Sequence, residues 1–204
     1  MFCGRVMCYS LPTKPRFVRP MPKIKDLIET ERFLLRRIEP EDEALYVAIH
    51  TDAGIMRNAG GAVEESIARA AFDRLLKYAE LPDLKQHAWV ISSRVEPPNQ
   101  SIGVAAMTAH GADVELGIMV LEAWQSLKVA QEVLAELTRH AFGAHDAQRV
   151  FARHLADNLA GAGVMKRLSF ELMPDVPGSD KYVGWVMRRQ DSSALDGRSG
   201  FDVL

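Results

Sequence analysis

The chain has 204 residues, a hydrophobic share of 48% and a formal net charge of −2, enough for one domain with a sizeable core. That charge gives no electrostatic case for nucleic acid or an anionic membrane surface, and no apolar run approaches the ~20 residues that span a bilayer. The cysteines are Cys3 and Cys8 alone. They make no disulfide framework, so a reducing cytoplasm is the default expectation.

Residues 1–25 carry Arg5, Lys14, Arg16, Arg19, Lys23 and Lys25, no acid, and prolines at 12, 15, 20 and 22. They lack the apolar stretch of a secretory signal, and the prolines oppose an amphipathic transit helix. Residues 1–26 therefore read as a disordered basic arm, or as sequence upstream of a start at Met21, with an electrostatic contact arm as the alternative. Residues 32–38 alternate in part with a period of two, which predicts a strand. Pro40 suits a first helical position, and Glu41, Asp42 and Glu43 complement the dipole of a helix ending near His50. Gly54 and Ala59-Gly60-Gly61 break the chain before a helix at 64–80. Its Ile67, Ala71, Phe72, Leu75, Leu76 and Ala79 recur at helical spacing, and Pro82 stops it.

Three strands follow, at 87–95, 101–109 and 113–121. The turns between them are short, so they are antiparallel neighbours. A helix at 127–142 places Val129, Val133, Leu137 and Ala141 in one row, with Gly143 as its stop. A strand at 148–155, a helix from Asn158 to Leu168, and strands at 169–173 and 181–188 complete the pattern. The order predicts an α/β fold with a mixed sheet. Residues 27–190 hold no linker and form one domain, and the polar, aperiodic segment 191–204 reads as a flexible tail.

The stretch with the most chemistry is the strand ending near Val120 and the helix start after it. A helix N-terminus presents unpaired N–H groups and the positive end of a dipole, which suits an anion such as a pyrophosphate. Glu115 on the preceding strand could serve as a base or simply pair with a cation on a neighbouring strand. Asn158 could be a plain helix N-cap. The histidines His50, His87, His110, His140, His145 and His154 lack paired metal-ligand spacing, so no metal is expected. No nucleophile-elbow serine or phosphate-loop lysine motif occurs. Trp89 and Trp124 read as packing residues.

Three segments carry a family resemblance. Gln125-Ser126-Leu127-Lys128-Val129-Ala130, after its strand, resembles the Gln-x-x-Gly-x-Ala loop of the GNAT superfamily of N-acetyltransferases. Glu29 to Arg36 followed by Pro40-Glu41-Asp42 looks like the start of the RimJ/RimL-like branch, which acetylates N-terminal amines of ribosomal proteins. Asn158 to Phe170 is similar to the family's Asn-x-x-Ser…Lys-Leu-Gly-Phe segment. The resemblance covers about 30–188. It departs from the family at Lys128 and Ser169, where glycine is usual, and at Gly161, where serine is usual.

The resemblance implies a mostly antiparallel mixed sheet flanked by helices, with splayed central strands forming an acyl-coenzyme A cleft. It implies acetyl-coenzyme A as cosubstrate, an amine as acceptor (a protein N-terminus or a small amine) and direct attack; homodimers are common in that branch, and the oligomeric state of this chain stays open. Ile118, Met119 and Val120 would line the pantetheine with their main chain, one of their amides serving as oxyanion donor. Residues Ser126 to Ala130 would hold the pyrophosphate, with Gln125 opening that loop and Asn158 supporting the pantetheine. Glu115 would take the amine proton. No tyrosine follows Asn158 where many relatives place an acid for the leaving thiolate. The reading of a different class is a GNAT-like domain that has lost catalysis and binds a cofactor or partner.

Overall fold

The computed structural model describes residues 27–79, 86–95, 98–174 and 181–198. The arm at 1–26 and the stop at Pro82 lie outside them. Eight strands form one sheet: β1 (Leu27–Glu29), β2 (Phe33–Arg37), β3 (Gln86–Ser93), β4 (Ser101–His110), β5 (Asp113–Val120), β6 (Arg149–Leu155), β7 (Glu171–Met173) and β8 (Tyr182–Arg188). Their order is β1-β2-β3-β4-β5-β6-β8-β7. Every neighbouring pair is antiparallel except β5 and β6.

The helices are α1 (Glu43–Thr51), α2 (Ala53–Met56), α3 (Glu65–Ala79), α4 (Val129–Ala144) and α5 (Leu159–Arg167). Side chains alternate across each strand, and two cores result. On one face α1 and α3 pack Tyr46, Ile49, Phe72 and Leu75 against Val90 and Val104. On the other, α4 and α5 pack Val133, Leu137 and Met165 against Trp89, Leu116 and Trp185. Ile67, counted in the apolar face of α3, is exposed instead.

The structure differs from the sequence reading at several points. β1 and α2 are too short to leave a periodic signal. Pro40–Asp42 is a 3-10 turn ahead of α1. The guanidinium of Arg36 donates to both carboxylate oxygens of Asp42 at 2.8 and 2.6 Å, which ties this turn to β2. α4 begins at Val129 rather than at 127. Of the expected loose tail, 191–198 belong to 3-10 turns over Arg189–Arg198, and 199–204 lie outside the described residues. Leu195 is only 2% exposed and its carbonyl accepts from Arg139 at 2.9 Å, an anchor that polar composition conceals.

Ser169 ends α5 in the left-handed region at φ 63°. Its N–H donates to the Lys166 carbonyl, and Phe170 N–H donates to that of Met165, both at 3.0 Å. This is the Schellman arrangement, which glycine usually serves. A non-glycine residue there carries steric cost from its Cβ. Replacement Ser169→Gly is expected to stabilise the fold by roughly 0.5–1 kcal/mol, seen as a higher thermal midpoint. A lower midpoint would contradict the assignment.

Three histidines gather where sequence spacing suggested none. The His145 ring lies 5.9 Å from His87 on β3 and 5.4 Å from His140 on α4. Burial, then repulsion from His145, Arg37 and His140, lowers His87 to about 3. Burial, then His140, lowers His145 to about 4. Both values lie below the unfolded value near 6.5, so the unfolded chain binds more protons in between. Stability is therefore fully present above pH 6.5 and is lost as pH falls towards these values. Linkage allows about 1.4 kcal/mol per pH unit per ring, and partial solvent screening cuts that roughly by half. Urea denaturation should show a loss of about 2 kcal/mol between pH 6.5 and 5. An unchanged midpoint over that interval would contradict it.

Candidate active site

The site begins where two strands part. β5 and β6 pair in parallel only from Asp113 with Arg149 to Leu116 with Ala152. Beyond that register, Gly117–Val120 and Arg153–Leu155 diverge. On its other side β5 stays in unbroken register with β4 from Asp113 to Val120.

The phase of that ladder decides which main-chain groups face the opening. Leu121 N–H donates to the Ile102 carbonyl at 2.9 Å, so Ile102 and Leu121 are a hydrogen-bonded pair. Such pairs alternate in an antiparallel ladder. Met119 and Gly117 therefore spend their groups on β4, while Ile118 and Val120 turn theirs towards the gap. The Val120 carbonyl accepts from the Gln125 side chain at 3.2 Å, consistent with that phase. The Ile118 amide is the one aimed into the opening midway along the splay.

A cleft of about 510 Å³ fills the gap. Of the ten residues that the resemblance assigns to the cofactor, nine line it: Ile118, Met119, Val120, Gln125, Ser126, Lys128, Val129, Ala130 and Asn158. Leu127 does not. It is 50% exposed, and its carbonyl accepts from Arg32 at 3.1 Å. Arg153, His154, Arg167 and Tyr182 also line the cleft. Sequence reasoning missed all four. Tyr182 reaches it from β8, far in sequence from Asn158, where a tyrosine was sought.

The loop into α4 is conformationally demanding. Ser126 and Lys128 both have positive φ, at 65° and 60°, and Lys128 is the N-cap of α4. Lysine thus adopts the left-handed torsion that the family's glycine adopts freely. An ion pair with a buried carboxylate holds the loop. Glu132, in the first turn of α4 and 3% exposed, accepts from Thr30 Oγ1 at 2.6 Å, Arg32 N–H at 2.8 Å and Arg32 Nε at 2.7 Å. The same Arg32 donates to Leu127, so the turn between β1 and β2 clamps the helix start. The first amides of α4 have no intrahelical partner, and Val129, Ala130 and Gln131 border the cleft.

Asn158 caps α5, accepting from Gly161 N–H at 2.8 Å. A Cβ on Gly161 would meet Asn158 Nδ2 at 2.9 Å and His154 Cδ2 at 3.1 Å. Glycine in place of serine therefore gives room to both neighbours. His154 is fixed in orientation, with Nδ1 donating to the Leu155 carbonyl at 2.8 Å and Nε2 accepting from Trp185 Nε1 at 2.8 Å.

A second cavity of about 540 Å³ lies on the α1/α3 face. Its floor is a cross-strand row of small residues, Ala88, Ala106 and Gly117, in register on β3, β4 and β5. Larger side chains in that row would fill it. The two cavities share Gly117, Ile118 and Met119.

Glu115 lines this second cavity, with its side chain 12% exposed. It accepts from His110 Nε2 at 3.1 Å and from Arg153 at 2.8–2.9 Å. Burial pushes its carboxyl up, but the His110 hydrogen bond and the charge and hydrogen bond of Arg153 outweigh it. The net shift is below the ordinary carboxylate value. Among the described residues no group of three or more His, Cys, Asp or Glu is arranged to hold a metal ion.

The profile of the acetyltransferase (GNAT) domain matches residues 32–171. The chain belongs to the GNAT acetyltransferase family. Its fold is similar to that of an acetyltransferase from Agrobacterium tumefaciens, at 20% identity and a TM-score of 0.69, covering 86% of this chain and 99% of that one. It is also similar to RimL, a ribosomal-protein α-N-acetyltransferase solved with coenzyme A, at 16% identity and a TM-score of 0.65 over 79% and 97%. A third likeness is to spermidine N-acetyltransferase from Vibrio cholerae, solved with coenzyme A and spermine, at 12% identity and a TM-score of 0.67 over 79% and 98%. Among curated proteins none matches significantly.

Gly103 on β4 reveals how tightly the splayed strand is held. A Cβ there would collide with the Met119 carbonyl oxygen. Alanine ordinarily outperforms glycine inside a strand, but here backbone must move. Gly103→Ala is expected to destabilise by about 1–3 kcal/mol and to weaken acetyl-coenzyme A binding, as read by chemical denaturation and calorimetry. A stabilised variant with unchanged affinity would contradict this packing.

Proposed function

We propose that the protein transfers an acetyl group from acetyl-coenzyme A to a primary amine by direct attack. The observation that carries the reading is the meeting of two cavities at Gly117–Met119 of the splayed strand. One is bordered by the N-terminus of α4, and the other opens on the helical face. Acetyl-coenzyme A supplies the acyl group as an activated thioester. Ser126 and Lys128 to Ala130 hold its pyrophosphate, without Leu127, and Lys128 adds a cation there. Ile118 N–H donates to the oxyanion that develops on the thioester carbonyl oxygen as the carbonyl carbon is attacked, and Asn158 supports the pantetheine.

The amine nitrogen bonds to that carbon, the carbon–sulfur bond breaks, and a thiolate leaves. A thiol of pKa ~8.5 leaves without strong acid help. Glu115 is held as a carboxylate by His110 and Arg153, so it is a weak base towards a free ammonium. It suffices after attack, when the nitrogen turns strongly acidic, and the proton passes to it directly or through water. The opening segment around Glu29–Asp42 and the likeness to RimL support the RimJ/RimL-like branch. An α-amine of pKa ~8 loses only about 1 kcal/mol to protonation at neutral pH, against roughly 4–5 for a lysine amine.

Two measurements test this. Acetyl-coenzyme A at 100 times its dissociation constant should raise stability by ~2.7 kcal/mol, and no shift at millimolar ligand would sink the reading. In a thiol-release assay, Glu115→Gln should lower kcat by about 10²-fold. The parent enzyme should show no acid limb from Glu115 down to pH 5, because its carboxyl lies below the usual range. Full activity of the variant across pH would remove Glu115 from the mechanism.

A further inference from the structure

The acceptor cavity has a chemistry of its own. Its walls are Ile38, Leu75, Val104 and Met119, above the Ala88–Ala106–Gly117 floor. Glu115 is the one carboxylate among the described lining residues, and its oxygens are already taken by His110 and Arg153. The charged group at the opposite wall is a cation, Arg74, exposed on α3 one turn before Tyr78. His50 lies deeper, stacked on Tyr46 at 3.9 Å with its Nδ1 against the Tyr46 carbonyl at 2.7 Å. A carbonyl only accepts, so Nδ1 carries the proton, and burial of the ring favours its neutral form. It adds no negative charge.

A second ammonium reaching into this space would lose its hydration and meet apolar carbon, the neutral polar groups of Tyr46, Tyr78, Thr108 and Gln86, and the cation of Arg74, with no uncommitted carboxylate among the described lining residues. An apolar body of drug-fragment size would instead displace water from that surface.

Resting on the acetyl-transfer reading, we infer that the acceptor is a primary monoamine on an apolar or aromatic body, and that polyamines are excluded. The cavity orients the single amine towards Gly117–Met119 and seats the body between α1 and α3. The apolar walls, with Arg153 and Arg74 nearby, also disfavour the ammonium form, so the nitrogen arrives neutral.

Calorimetry with the full chain saturated with coenzyme A tests this, using 2-phenylethylamine and spermidine as probes. The expected result is 2-phenylethylamine bound at least about ten-fold more tightly than spermidine. Arg74→Glu, which replaces the exposed cation on α3 with a carboxylate and leaves the floor open, should raise spermidine affinity about ten-fold. A variant that merely failed to fold could not show that gain. Equal or tighter spermidine binding by the parent protein, or binding of neither amine, would overturn the inference. Should coenzyme A itself fail to bind, the acetyl-transfer reading falls separately, and the two amines compared on the protein alone still decide the character of the cavity.

Discussion

Strand β5 keeps its partner β4 to the end and loses its partner β6 at Leu116. Everything functional hangs on that divergence. Parallel strands normally satisfy each other's main chain along their length. Here the outward groups of Ile118 and Val120 are left facing a cleft. A main-chain donor held by a ladder on its far side is pre-organised, which is what stabilisation of a developing oxyanion requires. The same divergence lets the two cavities share Gly117–Met119, so both open on one short piece of strand.

The loop after β5 shows how a fold tolerates local strain. Ser126 and Lys128 hold left-handed torsions that cost a non-glycine residue of order 1–3 kcal/mol each. The compensation is nearby: Glu132 gathers Thr30 and Arg32, and Arg32 also binds the Leu127 carbonyl. An ion pair with a buried carboxylate is weak evidence of net stability. Its geometric effect is definite, because it fixes the helix start against β2. Ser169 repeats the pattern at the end of α5, where two hydrogen bonds close the turn without glycine. Both substitutions keep the backbone shape that the family's glycines provide.

Much of this was legible beforehand, for physical reasons. α4 announced itself through Val129, Val133, Leu137 and Ala141, which bury one face. The hairpin between β4 and β5 was marked by His110-Gly111-Ala112, where Gly111 supplies the positive φ of the turn. Nine cofactor-site candidates line one cleft because they lie in two contiguous stretches plus Asn158. The acceptor cavity was not legible. It depends on Ala88, Ala106 and Gly117 falling in register across three strands, and no single stretch of sequence encodes that register. Tyr182, Arg153 and the histidine cluster were missed for the same reason. Glu115 was legible as either a base or the partner of a cation on a neighbouring strand; that cation is Arg153 on β6, which with His110 on β4 favours its carboxylate form.

The central claim is that the Ile118 amide, and not its neighbour's, receives the thioester carbonyl. Amide hydrogen exchange with and without acetyl-coenzyme A tests it residue by residue. The account predicts that ligand slows exchange at Ile118 and at Val129 to Gln131. Met119, already bonded within the β4 ladder, should change little. Ligand binding that protects Met119 while leaving Ile118 unchanged, or that protects neither Ile118 nor the first turn of α4, would contradict it.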